Sequence, residues 1–340
     1  MLRLKPFEIV QPTSIDQATN LLEKEEKTTR VISGGTDLVP NLKLAYGRPE
    51  VLVSLRNIDG MNSVSTHDQM LKIGAGITLN DLTNNPLIRE HVPILAEGAN
   101  RIASPQIRNM GTLGGNICLD TRCRYINQSE LFREALGGCL KSHGDRCHVV
   151  PGGKNCVAAL SSDTIPILIA LGATVDITGA GSRRSIPIEK LYGSDGCKHI
   201  QLTPSEIIGT IQIPIPTTNT KFTYSKWAMR KSIDFPLVSV AIRLEIRPKI
   251  PNTIEGGLIV VSVLGPKPKL IPLDKYAGRS LDPSLAADLG ALAYKRSKPL
   301  PNVPYESNYR RKRLAVEVKR AILSLSPKTQ SPKSPQEFVA

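Results

Sequence analysis

An α+β fold is what this sequence predicts, opening with a small α/β unit and closing with a second, segregated α+β unit. Three observations predict it. Through the first half, short β-rich runs alternate with helical stretches. Near residue 216 the segment Pro214-Ile215-Pro216-Thr217-Thr218-Asn219 breaks that pattern. Beyond the break, two long β-rich runs come first and two helical segments follow. The 340 residues are enough for two or three domains. With 40% apolar and 22% charged residues, a packed core is expected and wholesale disorder is excluded.

The first helix is announced by Thr13-Ser14-Ile15-Asp16, with Ser14 as N-cap and Gln17 at the capping-box position, and is predicted to run to about Lys27. Residues 30–33 are a short strand ending at Gly34-Gly35, and 51–55 is a second β-rich run. Residues 69–77 (QMLKIGAGI) read as a further strand, followed by a helix that Thr78 caps. Residues 94–102 are helical in composition, and a glycine-rich segment fills 108–118. An apolar stretch, 164–175, flows into Val175-Asp176-Ile177-Thr178. Residues 185–188 have the pattern of an edge strand, because Pro187 cannot donate to a ladder. In the closing unit, 238–246 and 257–264 are predicted strands, and 284–295 and 309–325 predicted helices. The Ser-, Pro- and Lys-rich tail, 326–340, is expected to be disordered.

Composition narrows the function. The longest apolar run, 165–175, is broken by Pro166 and Gly172 and falls short of the ~20 residues that cross a bilayer. The segment MLRLKPFEIVQPTS lacks the apolar stretch of a secretory signal, so a soluble, cytosolic chain is expected. The formal net charge of +14 suits an acidic partner, a phosphorylated ligand or nucleic acid. Aromatic residues are only 4%, which leaves few stacking platforms and argues against nucleic acid.

Two glycine-rich loops carry the chemistry. The first, Ser33-Gly34-Gly35-Thr36-Asp37-Leu38, directly follows a strand. Paired glycines there let backbone N–H groups approach an anion, and the Thr36 hydroxyl adds a donor. The Asp37 carboxylate would repel a phosphate unless it turned away to hold the loop. An ordinary β-turn would show the same residues. No Lys completes a P-loop, and the spacing is not that of a Rossmann fingerprint. The second loop is Gly111-Thr112-Leu113-Gly114-Gly115-Asn116. Together the two can clamp one pyrophosphate.

These loops, with Ser162-Asp163 before an apolar stretch, resemble the FAD-binding subunit of the xanthine dehydrogenase and carbon monoxide dehydrogenase family. Lys226-Trp227-Ala228-Met229-Arg230-Lys231-Ser232-Ile233-Asp234 resembles that family's basic run, and Tyr309-Arg310-Arg311-Lys312-Arg313-Leu314-Ala315 its final helix. The resemblance implies the two-subdomain flavin-binding fold shared with vanillyl-alcohol oxidases, followed by an α+β C-terminal domain. It divides the chain at 1–55, 56–216 and 217–325. It places the pyrophosphate loop on Ser33, Gly34, Gly35, Thr36, Asp37 and Leu38, led by Val31 and Ile32. The second loop falls on Gly111, Thr112, Gly115 and Asn116, with Ile102 facing the flavin before it. Asp163 would accept from FAD hydroxyls, as a carboxylate can. Tyr192 and Lys231 are candidate flavin neighbours, although a part-buried aromatic and a solvated charge explain them as well. No residue of this chain is expected to act on substrate, because the cofactors carry the chemistry.

Asn116 and Asp163 stand 47 positions apart, where most of that family has a short link. The extra segment, about 117–162, holds Cys123, Cys139, Cys147 and Cys156, spaced C-x15-C-x7-C-x8-C. Long loops inside compact domains are usually functional. Disulfides are disfavoured by the expected compartment. Zinc and a [4Fe–4S] cluster both take four thiolates, and ligand count alone does not separate them. The flavoprotein context favours the redox-active cluster, and a reductive branch of the family carries such a loop at this place. Under that resemblance the four cysteines are cluster ligands. Arg122, Arg124, Arg133, Lys141, Arg146 and Lys154 would favour the reduced cluster, while Cys118 and Cys197 read as structural. His143 and His148 are spare ligands that four thiols make unnecessary. The implied partners are a molybdopterin subunit, a two-[2Fe–2S] subunit and an acidic ferredoxin, in a dimer of heterotrimers. An outward-running aromatic or purine hydroxylase subunit is the alternative within the family. A non-enzymatic zinc- or nucleotide-binding protein is the alternative outside it.

Overall fold

Three sheets carry the chain in sequence order. The computed structural model describes residues 3–24 and 28–326; the predicted end of the first helix at Lys27 and the tail beyond Ser326 lie outside them. The first sheet is parallel, with Val51–Ser54 between Glu8–Val10 and Thr29–Ile32. Helix Ile15–Glu23 makes one crossover and buries Ala18 and Leu22 between this sheet and the next. Its N-cap is as predicted: Gln17 N–H donates to the Ser14 hydroxyl at 3.2 Å. The Gln17 side chain reaches back to the Thr13 N–H at 3.1 Å, one residue before the N-cap.

The second sheet is antiparallel and five-stranded, ordered Val64–His67, Met70–Gly74, Ile207–Pro214, Thr174–Gly179, Ser182–Pro187. The segment that contains Pro187 is its edge strand, consistent with the missing donor. Its central strand, Ile207–Pro214, buries Ile207, Ile208, Ile211 and Ile213 and was not foreseen. The apolar stretch after Asp163 resolves into helix Thr164–Ala170, buried along its whole length, and then strand Thr174–Gly179. Helix Pro93–Asn100 packs beside it.

The third sheet is antiparallel, ordered Lys269–Pro272, Ile254–Ser262, Val238–Ile246, Thr220–Trp227. Alternation along Val238–Ile246 gives this sheet two apolar faces. Val238, Val240, Ile242 and Leu244 pack with helices Pro283–Arg296 and Ser307–Leu325. Ala241, with Tyr224 and Val260, joins the core of the first two sheets instead. Each large aliphatic side chain so buried contributes about 1.5–3 kcal/mol. Among the described residues, no helix is long and apolar enough to cross a membrane.

The long segment between Asn116 and Asp163 has one short helix, Glu130–Ala135. Otherwise it is turns, pinned by an Arg122–Ala159 bridge and by the Arg124 N–H on the Asn302 carbonyl at 2.8 Å. The second glycine loop is half helical: Thr112 caps helix Leu113–Ile117 by accepting from Gly115 N–H at 3.1 Å.

Candidate functional site

Strand Thr29–Ile32 ends at the edge of its sheet, and Ser33 to Leu38 turn there into helix Leu38–Lys43. The second glycine loop packs directly against this turn. A Cβ on Gly34 would lie 1.9 Å from the Met110 carbonyl oxygen, so only glycine allows the approach. The Thr112 hydroxyl donates to Ser33 Oγ at 3.0 Å across the join. Both loops line one cavity of about 490 Å³. The N–H groups of Gly34, Gly35, Thr36 and Asp37 find no acceptor among the described residues, so four donors are free beside the cavity.

The Asp37 carboxylate is held by its neighbours, although Asp37 lines the cavity. It accepts from Asn41 Nδ2 at 3.0 Å and faces Arg122 at 3.5 Å. Burial raises its pKa, and Arg122 counteracts. Asn116 ties the second loop to the far wall: its Oδ1 accepts from the Ser162 and Thr164 hydroxyls, both at 2.7 Å. Asp163 follows, buried in that wall. Tyr224 donates to its Oδ1 at 2.8 Å and Lys226 to its Oδ2 at 3.1 Å. Burial pushes the Asp163 carboxyl up, against the pull of Lys226 and Tyr224.

Val31, Ile32, Ser33 to Leu38, Ile102, Gly111, Thr112, Gly115, Asn116 and Asp163 all line this cavity. Tyr192 and Lys231 are not among its lining residues. Tyr192 is buried and its hydroxyl donates to the Ile117 carbonyl at 2.9 Å; Lys231 is exposed beyond the rim. The basic run instead reaches the cavity through Ile233, Asp234 and Phe235. Ile233 is a β-branched residue at φ +51°, a strained geometry held by its N–H on the Ala103 carbonyl at 3.0 Å. Arg122 lies 4.0 Å over the Phe235 ring. Cys118, expected to be structural, also faces the cavity.

Lys226 and Tyr224 were missed as partners of Asp163. Their only sequence signal was the alternation of Tyr224 and Lys226 on one face of a strand.

A second, smaller cavity lies in the inserted segment. Cys123, Cys139, Cys147 and Cys156 all line it, with Tyr125, Ile126, Val149 and Val157. Three of the four sulfurs accept a hydrogen bond from a residue two or three positions on. The donors are the Ser142 hydroxyl to Cys139, Val150 N–H to Cys147 and Ala158 N–H to Cys156. Such donors stabilise thiolates. Burial opposes ionisation and pushes the Cys123 thiol up to about 11. Among the described residues, no three His, Cys, Asp or Glu side chains meet at a single-ion point.

Of the six cations expected to serve this cavity, only Lys141 lines it. Arg124 donates to the Val303 carbonyl, Arg133 to that of Leu44, and Arg146 pairs with Asp145 in solvent. His148 stands in the wall, turned to the Gly138 carbonyl, while His143 is exposed. Cys197, also expected to be merely structural, lies against the Cys156 thiol and donates to the Leu140 carbonyl at 3.3 Å.

Residues 5–216 match the family model described as FAD binding domain in molybdopterin dehydrogenase. The chain is 24% identical over 330 residues to the nicotine 6-hydroxylase medium subunit of Paenarthrobacter nicotinovorans, covering 96% of this chain and 100% of that protein. It is 27% identical over 323 residues to the carbon monoxide dehydrogenase medium chain of Afipia carboxidovorans, covering 93% and 95%. Its fold superimposes on a chain of the reconstituted CO dehydrogenase from Oligotropha carboxidovorans with a TM-score of 0.76 at 24% identity, covering 94% and 98%.

Proposed function

The chain belongs to the family of FAD-binding domains in molybdopterin dehydrogenases, and on that premise we propose that it is the electron-relaying flavin subunit of a 4-hydroxybenzoyl-CoA reductase type enzyme. One observation carries this reading beyond the family: four cysteines spread over Cys123 to Cys156 line a single cavity, three of them with a hydrogen-bond donor to the sulfur.

The residues present fit both groups. For FAD, the free N–H groups of Gly34 to Asp37, with the Thr36 hydroxyl, are the pyrophosphate donors. Thr112, Gly115 and Asn116 hold the opposing loop, and Val31, Ile32 and Ile102 are apolar walls. Asp163 keeps acceptor capacity for hydroxyl groups, oriented by Tyr224 and Lys226. Ile233 and Phe235 shield the rim. For the cluster, Cys123, Cys139, Cys147 and Cys156 are the ligands. Four thiols on one cavity match the ligand count of a [4Fe–4S] group. When bound, FAD and the cluster supply single-electron transfer between a ferredoxin and the [2Fe–2S] and molybdenum centres of neighbouring subunits. The chain itself contributes docking, orientation and exclusion of water. The excess of positive charge suits an acidic ferredoxin. Residues 1–55 and 56–216 are the two halves of the flavin-binding unit, and 217–325 buttresses them.

A hydroxylase subunit of the xanthine dehydrogenase kind is the second reading, favoured by the name of the nicotine 6-hydroxylase relative. It shares the flavin half and gives the cysteine ring no role. Cys139→Ala in the purified complex separates the two. The proposal expects loss of about four irons per chain with FAD retained, because the cluster needs every thiolate. Unchanged iron would remove the ligand assignment and leave the hydroxylase reading.

A further inference from the structure

The wall between the two cavities contains a buried ion pair that neither cavity explains. Lys141 lines the cysteine cavity, yet its side chain is only 3% exposed. Its ammonium donates to Asp120 Oδ1 at 2.5 Å, to the Gly196 carbonyl at 2.7 Å and to the Thr121 hydroxyl. The Asp120 carboxylate lines the other, glycine-loop cavity. There the His199 ring nitrogen lies 3.7 Å from it. The ammonium also attracts the Cys156 sulfur. The pair is therefore oriented across the wall, with its cation toward the cysteines and its anion toward the glycine loops. A lysine is almost never buried unless paired, and burying one is costly. Nothing in packing alone demands one here. The five other cations of the segment are held elsewhere or stand in solvent.

We propose that Lys141 and Asp120 are positioning residues that form a fixed dipole between the two redox groups, lowering the energy of an electron on the cluster side and raising it on the flavin side. The inference rests on the functional reading above. The pair itself donates and accepts no electron. In low dielectric, a cation beside a four-thiolate group favours the added negative charge, and a carboxylate beside the flavin opposes it. Sharing of one electron between the two groups is thus biased toward the cysteine cavity.

The test uses the holoenzyme complex and reads both midpoint potentials, the cluster by EPR titration and the flavin by its visible bands. Lys141→Met/Asp120→Asn removes both charges without leaving one unpaired. The cluster midpoint should fall and the flavin midpoint rise. Together these displace the electron-sharing constant at least tenfold toward the flavin, which is 59 mV for a one-electron couple. Lys141→Arg keeps the cation and should restore the cluster midpoint. If the double variant loses iron, Asp120→Asn alone still reports through the flavin, whose midpoint should rise. Midpoints that stay in place, or that both move in one direction, overturn the dipole while leaving the functional reading intact. A wild-type complex without iron overturns both.

Discussion

Asp163 shows how much of a site one contact decides. Its carboxylate is 3% exposed and survives there because Lys226 and Tyr224 meet it. Removing the cation alone leaves an uncompensated buried charge. Lys226→Met should therefore cost about 3–5 kcal/mol, read from the urea midpoint, and Asp163→Asn/Lys226→Met should recover part of the loss. His199 gives a pH signature. Burial holds its imidazole below the ordinary 6.5, and its ring nitrogen Nε2 lies 3.0 Å from the Leu119 carbonyl. As acid is added, the unfolded chain takes up this proton before the folded chain does. The stability contribution is whole above about pH 6.5 and is lost as the pH falls below it toward the lowered folded value. His199→Gln should flatten the fall in urea midpoint between about pH 7 and about pH 5. An equal fall in the variant would assign the acid sensitivity to other groups. At this scale the sequence was informative where chemistry is local. Glycines after a strand, an aspartate beside them and a run of cysteines can be read from neighbours. The partners of Asp163 could not, since Tyr224 and Lys226 are 61 and 63 positions away. Nor could the bond of the Tyr192 hydroxyl to a carbonyl 75 positions earlier be read from neighbours.

At the scale of elements, the two glycine loops act as one unit because their backbones touch. Gly34→Ala would put a methyl group 1.9 Å from the Met110 carbonyl, a backbone atom that cannot swing aside. The expected outcome is a weakening of FAD affinity by about tenfold or more, equivalent to about 1.4 kcal/mol. Fluorescence titration of apo-protein measures it, with circular dichroism showing the sheets retained. Affinity at the wild-type level would mean that the loops do not clamp the ligand together. Strands bounded by turns were legible, and so were the two closing helices. Strand Ile207–Pro214 was not, because its partners Met70–Gly74 and Thr174–Gly179 arrive from far along the chain. The inserted segment was legible as a cysteine carrier by count alone. That three of its sulfurs would find a donor, and that Cys197 would stand beside Cys156, depends on turns that carry no periodic signal.

At the scale of the whole molecule, the closing unit and the inserted segment hold each other. Arg310, fully buried, donates to the carbonyls of Leu237, Leu300 and Val263 and to Asn302 Oδ1. Asn302 in turn donates to the Val157 carbonyl at 2.7 Å, next to Cys156. Arg310→Met leaves several buried carbonyls without a donor and should cost about 3 kcal/mol. It should also lower iron content before it lowers FAD, because the fastening ends at the cysteine ring. Iron and FAD lost in parallel would mean that Arg310 holds the molecule together without favouring the insertion.

On the proposed reading, one chain holds a flavin and a four-iron cluster in adjoining cavities. Iron, zinc and FAD quantified in the anaerobically purified complex test it, with the iron assigned to this chain by comparison with the Cys139→Ala variant. One FAD and about four irons per copy of this chain, with no zinc, is the expected result. FAD with no iron of its own, or zinc on the four cysteines, would overturn the reading.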